Sequence, residues 1–533
     1  MSVKVAVAGA TAAAAASVLP ELVADKVASR IAAKDFTLWG KDAEAESSIR
    51  LGWVNSAVDT AAVVERVIAL RQEFLTKGVD RFVLCGMGGS SLAPEVITRT
   101  AGVHLVVLDS TNPDQVAAAV NEAIERTAIV VSSKSGSTVE TDSQKRAFEA
   151  AFTAAGIDKT DRIVIVTDPG SPMEQAALAD GYRVFNADPT VGGRYSALTA
   201  FGIVPSGLAG VDVAALLADG HSVAAQLASD DETNPGLILG AALARTANGA
   251  GFKDKVGIVT GDTDIVGFGD WAEQLIAEST GKLGKGVLPV VLATDSPEVS
   301  ANQADVVLAR IVKDAASAAD GEIAVSGSLG AQFVLWEYAT VVASRLIGIN
   351  PFDQPDVESA KIAARGMLEN RPEIVAPDFV DGAIEVRGQN VEFGADHSVA
   401  GALAAVLSKL DAAEGYVSIH AYLDRNNAAA AEELRDALAA RTGRPVTFGW
   451  APRFLHSTGQ YHKGGPRQGV YIQLVAQAEA DLAVPGRPFT FGQLIASQAA
   501  GDGSVLADLG LPVLNLTLTD VAAGLAAING ASA

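Results

Sequence analysis

Short apolar runs recur along this chain, each ending in glycine or hydroxyl residues and followed by a stretch with apolar positions three and four apart. That alternation predicts strands joined by crossover helices. The first set comprises the helical pattern Val58 to Lys77, the run Arg81-Phe-Val-Leu-Cys85, and runs at His104 to Leu108, Ala128 to Ser132, Arg162 to Thr167 and Arg183 to Phe185. Helical stretches between most of them imply right-handed parallel crossovers. A second alternation starts at Lys255-Val-Gly-Ile-Val-Thr260, passes through a helix from Trp271 to Glu278 and a strand from Gly286 to Ala293, and closes with a helix from Gln332 to Leu346. A third follows the Pro- and Gly-marked stretch Arg371 to Gly394. It has strands at Tyr416 to Leu423, Val446 to Gly449, Gly469 to Val475 and Pro512 to Leu518, and a helix from Ala428 to Arg441. The expected architecture is α/β with doubly wound parallel sheets. It has an N-terminal helical arm (1–54, opening on an alanine-rich helix from Val5 to Leu19), a first domain (55–205), a second domain (206–370) and a C-terminal α/β unit (371–533).

Two of the turns carry candidate chemistry. Ala128-Ile-Val-Val-Ser-Ser-Lys-Ser-Gly-Ser-Thr-Val-Glu-Thr141 reads as strand, polar turn and helix. Free backbone N–H groups, the positive end of the helix dipole and several hydroxyls would share one concavity there, which suits a phosphate. The competing reading is a Ser-rich cap on an ordinary helix. The earlier turn, Gly86-Met-Gly-Gly-Ser-Ser, sits where a dinucleotide fingerprint would, but Ser91 occupies the position of its third glycine. A G-x-x-x-x-G-K-S/T loop is absent too. Two polar turns at the carboxyl ends of parallel strands point instead to a small phosphorylated ligand in the crevice above the sheet.

Charge narrows the partners. Forty basic against 63 acidic residues leave a net charge of −23, which argues against nucleic acid or an anionic membrane surface, so an anionic substrate has to be met by local donors. A single cysteine, Cys85, gives neither an internal disulfide nor a cysteine metal cluster, and a cytoplasmic protein is expected. No run reaches the ~20 apolar residues of a membrane span.

In series, the motifs resemble those of the phosphoglucose isomerase family, whose members have two sugar-isomerase (SIS) type α/β domains and interconvert glucose 6-phosphate and fructose 6-phosphate. Gly86-Met-Gly-Gly-Ser90 is similar to that family's G-I/M-G-G-S turn, and Ser133-Lys-Ser-Gly-Ser-Thr138-Val-Glu-Thr141 to its phosphate loop. The resemblance implies Gly89, Ser90, Ser133, Lys134, Ser135 and Thr138 as substrate ligands. Val191-Gly-Gly-Arg194-Tyr-Ser196 resembles V-G-G-R-Y/F-S, which implies Gly193 and Arg194 beside the substrate's C1 and C2 oxygens. Gln274-Leu-Ile-Ala-Glu278-Ser-Thr-Gly-Lys282 resembles the motif that carries the family's general base, which implies that role for Glu278. Four residues apart on one helix, Gln274 and Glu278 share a face, and Asp270 is the expected N-cap with Glu273 three further on. Asn350-Pro-Phe-Asp-Gln354-Pro-Asp-Val-Glu-Ser-Ala-Lys361 resembles the family's N-P-F-D-Q-P-x-V-E-x-x-K and implies Gln354 and Lys361 as substrate-facing.

One element departs from the pattern. The family's ring-opening histidine should fall between Glu278 and Lys361, and none of His104, His221, His397, His420, His456 and His462 does. The stretch Arg453 to Gly465 holds two of them, His456 and His462, as candidates for ring opening, from this subunit or a neighbouring one, with Glu337 or Lys361 as alternatives and a structural loop as the bland reading. The long C-terminal unit is similar to the isomerase half of the transaldolase/phosphoglucose isomerase fusion group, with no transaldolase half. The resemblance implies an aldose-ketose isomerase of glycolysis and gluconeogenesis acting through a cis-enediolate, without redox cofactor or metal, and a homodimer. The alternatives are a non-catalytic phosphosugar-binding SIS regulator, an enzyme that also uses mannose 6-phosphate, and an NAD-linked dehydrogenase.

Overall fold

The computed structural model describes residues 2–245, 253–370, 375–477 and 480–532, with only the backbone course at 245, 360, 361, 369 and 370. Three sheets organise them. The first is wholly parallel, in the order Val106–Leu108, Arg81–Gly86, Thr127–Ser132, Ile163–Thr167 and Arg183–Asn186. Its inner strands are buried at every residue, as strands covered by helices on both faces must be. The apolar run followed by a hydroxyl-rich break therefore puts each polar turn at the carboxyl edge of the sheet.

The second sheet runs Lys4–Val7, Ile323–Ser326, Val306–Val312, Lys255–Asp262 and Leu288–Leu292, parallel except for its first strand. That first strand corrects the expected helix from Val5 to Leu19. Lys4–Val7 pairs antiparallel with Ile323–Ser326, and helices follow at Gly9–Ala16 and Leu19–Ala24. The chain start thus closes the edge of a sheet more than 300 residues away, which local alanine content does not reveal. Strands Val306–Val312 and Ile323–Ser326 were not expected either. The helix Leu329–Ile347, apolar nearly all round, is buried through most of its length against Pro235–Arg245 and Phe268–Thr280.

The helix Phe268–Thr280 begins two residues before the expected Asp270 cap. Its N-cap is Gly267, in the left-handed region at φ 77°, with no side-chain capping bond. Asp270 lies inside the first turn, where burial pushes its carboxyl up to about 6.

The third sheet has the order Phe379–Asp381, Ile384–Gln389, Val513–Leu518, Gly469–Ala476, Tyr416–Tyr422 and Val446–Trp450, its last four strands mutually parallel. The first two strands lie in the stretch read as Pro- and Gly-marked, whose start at residues 371–374 is outside the described residues. The expected helix Ala428 to Arg441 opens as a 3-10 turn, Ala429–Glu432, and becomes α-helical at Glu433–Thr442.

Candidate active site

A cavity of about 630 Å³ opens above the carboxyl ends of Arg81–Gly86 and Thr127–Ser132. One wall is the pair of polar turns: Gly89, Ser90, Ser133, Lys134, Ser135 and Thr138 all line it. Helix Val139–Ala154 follows directly, and its N-cap Thr138 makes no capping bond. The Thr138 hydroxyl instead lies 3.0 Å from the Ser133 hydroxyl. A serine-rich cap would spend that side chain on the helix amides; here it is turned elsewhere, which weakens the bland reading. Ser135 and Ser137 hydroxyls also pair at 3.0 Å. Lys134 is ion-paired with Asp168 and donates to the Pro189 carbonyl at 3.2 Å, so its charge is partly committed.

The glycines of the first turn permit a close approach. A Cβ on Gly89 would stand 2.0 Å from the Gly193 carbonyl oxygen, and Gly88, at φ 55°, would carry one 2.6 Å from the His456 carbonyl oxygen. Three chain segments meet at this point because the turn has no side chains there.

The opposite wall is helix Phe268–Thr280. Gln274 and Glu278 face the cavity together, with Gln274 Nε2 3.3 Å from Glu278 Oε2 and donating to the His456 carbonyl at 2.8 Å. Arg194 is buried behind them, its Nη1 3.5 Å from Glu278 Oε2. The remaining guanidinium donors reach Ser279 Oγ (2.9 Å), the Pro351 and Asp353 carbonyls (2.7 and 3.0 Å) and Gln354 Oε1. A fully engaged guanidinium is a fixed positive charge beneath the carboxylate and the Gln354 amide. Lys282 pins the same Asn350-to-Gln354 loop through the Asn350 and Asp353 carbonyls and the Asp353 carboxylate. Burial, and next the Arg194 charge, pull its ammonium down to about 8.

Gln354 and Gly193 complete the lining from the sequence-derived set. Lys361 lies on helix Val357–Asn370, which borders the cavity through Val357, Ala364 and Leu368, but its side chain is outside the described residues.

The two candidate histidines part company. His456 lines the cavity, its Nε2 3.0 Å from Glu140 Oε1. His462 does not line it: the ring is buried, Nδ1 3.0 Å from the Tyr416 hydroxyl and Nε2 3.3 Å from Ser418 Oγ, and burial pushes its pKa well down. Ring opening at His462 is therefore set aside for want of access. Glu337 fails likewise, sealed inside Leu329–Ile347 with its carboxyl pushed well up by burial.

Among the cavity residues that escaped the sequence reading are Glu140 and Gln498. Glu140 stood inside the quoted loop motif but carried no assigned role. Gln498 lies on the helix Phe491–Asp508 and belongs to no motif; only the fold brings its Nε2 within 2.7 Å of Glu140 Oε1.

Two largely parallel α/β units meet at a hydroxyl-lined cavity, the arrangement of an α/β protein with its site at the carboxyl edge of a sheet. Residues 54–287 match the family model of phosphoglucose isomerase, and through them the chain is a relative of those enzymes. It is 29% identical over 350 residues to the glucose-6-phosphate isomerase of Synechococcus elongatus, an alignment covering 54% of this chain and 66% of that one. It is 35% identical over 215 residues to a probable glucose-6-phosphate isomerase of Haloarcula marismortui, covering 39% and 49%. The chain thus spans about two thirds or less of the length of these curated relatives. In fold it is similar to a glucose-6-phosphate isomerase from Chlamydia trachomatis, with a TM-score of 0.52 at 20% identity over 62% of this chain and 75% of that one. Gln354, Lys361, His456 and Gln498 all lie beyond the matched family segment.

Proposed function

We propose that the protein is an aldose-ketose isomerase that interconverts glucose 6-phosphate and fructose 6-phosphate. The observation that carries this reading is a single cavity with a carboxylate, Glu278, backed by a buried guanidinium on one wall and a hydroxyl-rich turn at an uncapped helix start on the other. Moving a carbonyl between C1 and C2 needs a base that takes the C2 proton and returns it at C1, and positive charge near the enediolate oxygens. Glu278 supplies the base and Arg194 the charge, with Gln274, Gln354, Gly193 and Lys361 placing the sugar. Ser90, Ser133, Ser135, Thr138 and Lys134, with Gly89, receive the phosphate. His456, held by Glu140, handles the proton of the ring oxygen in opening the pyranose, the step for which the sequence offered His456 and His462.

A glycolytic role in the cytoplasm as a homodimer belongs to the same proposal, as does the expectation of a small phosphorylated sugar, rather than nucleic acid or membrane, as partner. The fixed charge on Arg194 and the shared face of Gln274 and Glu278 favour catalysis over phosphosugar sensing. Purified protein with fructose 6-phosphate and no added cofactor, coupled to oxidation of the glucose 6-phosphate formed, tests it directly: steady turnover is expected. Binding without turnover would leave a sugar-phosphate sensor.

A further inference from the structure

Two of the side chains through which the C-terminal unit lines the cavity converge on one atom. Glu140 is buried, and its Oε1 accepts from His456 Nε2 at 3.0 Å and from Gln498 Nε2 at 2.7 Å. The NH2 group of the Gln498 amide donates to Glu140 Oε1, and its oxygen accepts from the Thr111 hydroxyl at 2.7 Å. Thr111, Gln498, Glu140 and His456 form a continuous relay along one side of the cavity, of which Gln498 and His456 come from the C-terminal unit.

The helix that bears Gln498 is itself firmly placed. It starts with a capping box between Thr490 and Gln493, and one turn beyond Gln498 its buried Asp502 binds Lys463 at 2.6 Å and His420 at 3.0 Å. Lys463 lies in the short helix Gly459–Gly464, a few residues past His456. Both C-terminal groups that approach Glu140 are thus tied to the same buried cluster.

We infer that Gln498 is a positioning residue for the His456–Glu140 pair, and that through it the C-terminal unit completes the cavity rather than standing beside it. Without the amide, the carboxylate loses one of its donors on Oε1, and the imidazole loses part of the geometry that fixes its partner. The kinetic consequence rests on the isomerase reading above; the structural one does not.

The test is Gln498→Leu, close in volume and without the donor. The His456 ring nitrogen signals in NMR should move toward those of Glu140→Gln, and this readout holds whether or not the wild type turns over. An unmoved His456 signal overturns the inference. If the wild type isomerises, turnover of cyclic glucose 6-phosphate should fall about tenfold while an open-chain sugar phosphate loses less than threefold. In a His456→Ala background the same substitution should add less than twofold. Equal losses on both substrates, or losses that multiply in the double variant, would mark Gln498 as merely structural. Should Gln498→Leu not fold, Thr111→Val, which releases the amide to turn, must move the same ring signal. A wild type without isomerase activity would sink the functional reading alone.

Discussion

Two histidine–carboxylate pairs in this fold each have a 3.0 Å contact. His456–Glu140 faces the cavity, with the histidine side chain 15% exposed; His420–Asp502 is sealed, at 1% and 0%. Around the sealed pair stand Lys463, His462, Ser418 and the Tyr416 and Tyr471 hydroxyls, every one buried. Ser418, His420 and Asp502 even make the hydrogen-bond sequence of a nucleophilic triad, yet all three are buried. The difference is access: similar chemistry lines a cavity in one place and packs a core in the other.

The largest expected effect breaks the sealed pair. Asp502 is held well below the usual carboxylate range, burial being outweighed by Lys463 and His420. Asp502→Ala leaves Lys463 and His420 buried without their acceptor and should cost about 3–5 kcal/mol of folding stability. Urea midpoints measure it, and a loss under 1 kcal/mol would mean the cluster is not a structural anchor.

In the cavity, Glu278→Gln keeps shape and hydrogen bonding but cannot accept a proton, so turnover should fall at least ~100-fold with folding stability almost unchanged. A variant within a few fold of wild type would remove Glu278 as the base. The two walls should also respond differently. Because phosphate contacts are made in ground and transition states alike, Ser135→Ala with Thr138→Ala should raise KM about tenfold and leave kcat nearly intact. An unchanged KM for fructose 6-phosphate would return the loop to the role of a helix cap.

The same contrast explains what could be read before the fold was in view. The hydroxyl-rich turn in the cavity wall was legible because strand, turn and helix are contiguous within residues 128–141. Gln274 and Glu278 stood out through the motif they resemble, and helical spacing put them on one face. Glu140 and Gln498 are 358 residues apart, and no local pattern marks a glutamine that donates across two units. The stretch Arg453 to Gly465 showed two histidines but not which would face inward; His462 turns in because it stacks on Tyr416 beneath the sheet, at 5.8 Å between ring centres. Lys4–Val7 failed for the same reason as Gln498, its partner strand being far along the chain.

Exchanging the histidines sharpens the comparison. His456→Ala should slow cyclic glucose 6-phosphate about tenfold and spare an open-chain substrate. His462→Ala should lower stability and affect both substrates alike. Equal loss on both substrates in His456→Ala, or none on either, would take His456 out of ring opening.

The smallest effect is a dependence of stability on pH carried by the sealed histidines. Burial lowers the pKa of both His420 and His462, more strongly for His462, so the folded protein holds them neutral. In the unfolded chain both titrate near ~6.5. As pH falls through that value the unfolded state binds protons first, which makes the unfolded state bind more protons than the folded one. Stability therefore rises with pH across this window and is lost on acidification, by up to about 1.4 kcal/mol per pH unit for each histidine until the folded protein also takes up the proton. Asp502 acts in a lower window, because its depressed pKa protects the fold until pH drops below the ordinary carboxylate value near ~3.9. Between about pH 6.5 and 4, then, the sealed histidines should dominate. Urea midpoints at pH 8, 6.5 and 5 for wild type and His462→Gln should converge as pH falls, since the variant lacks one of the two groups that must stay neutral. Parallel curves would show that His462 charges in place, and that its surroundings admit water after all.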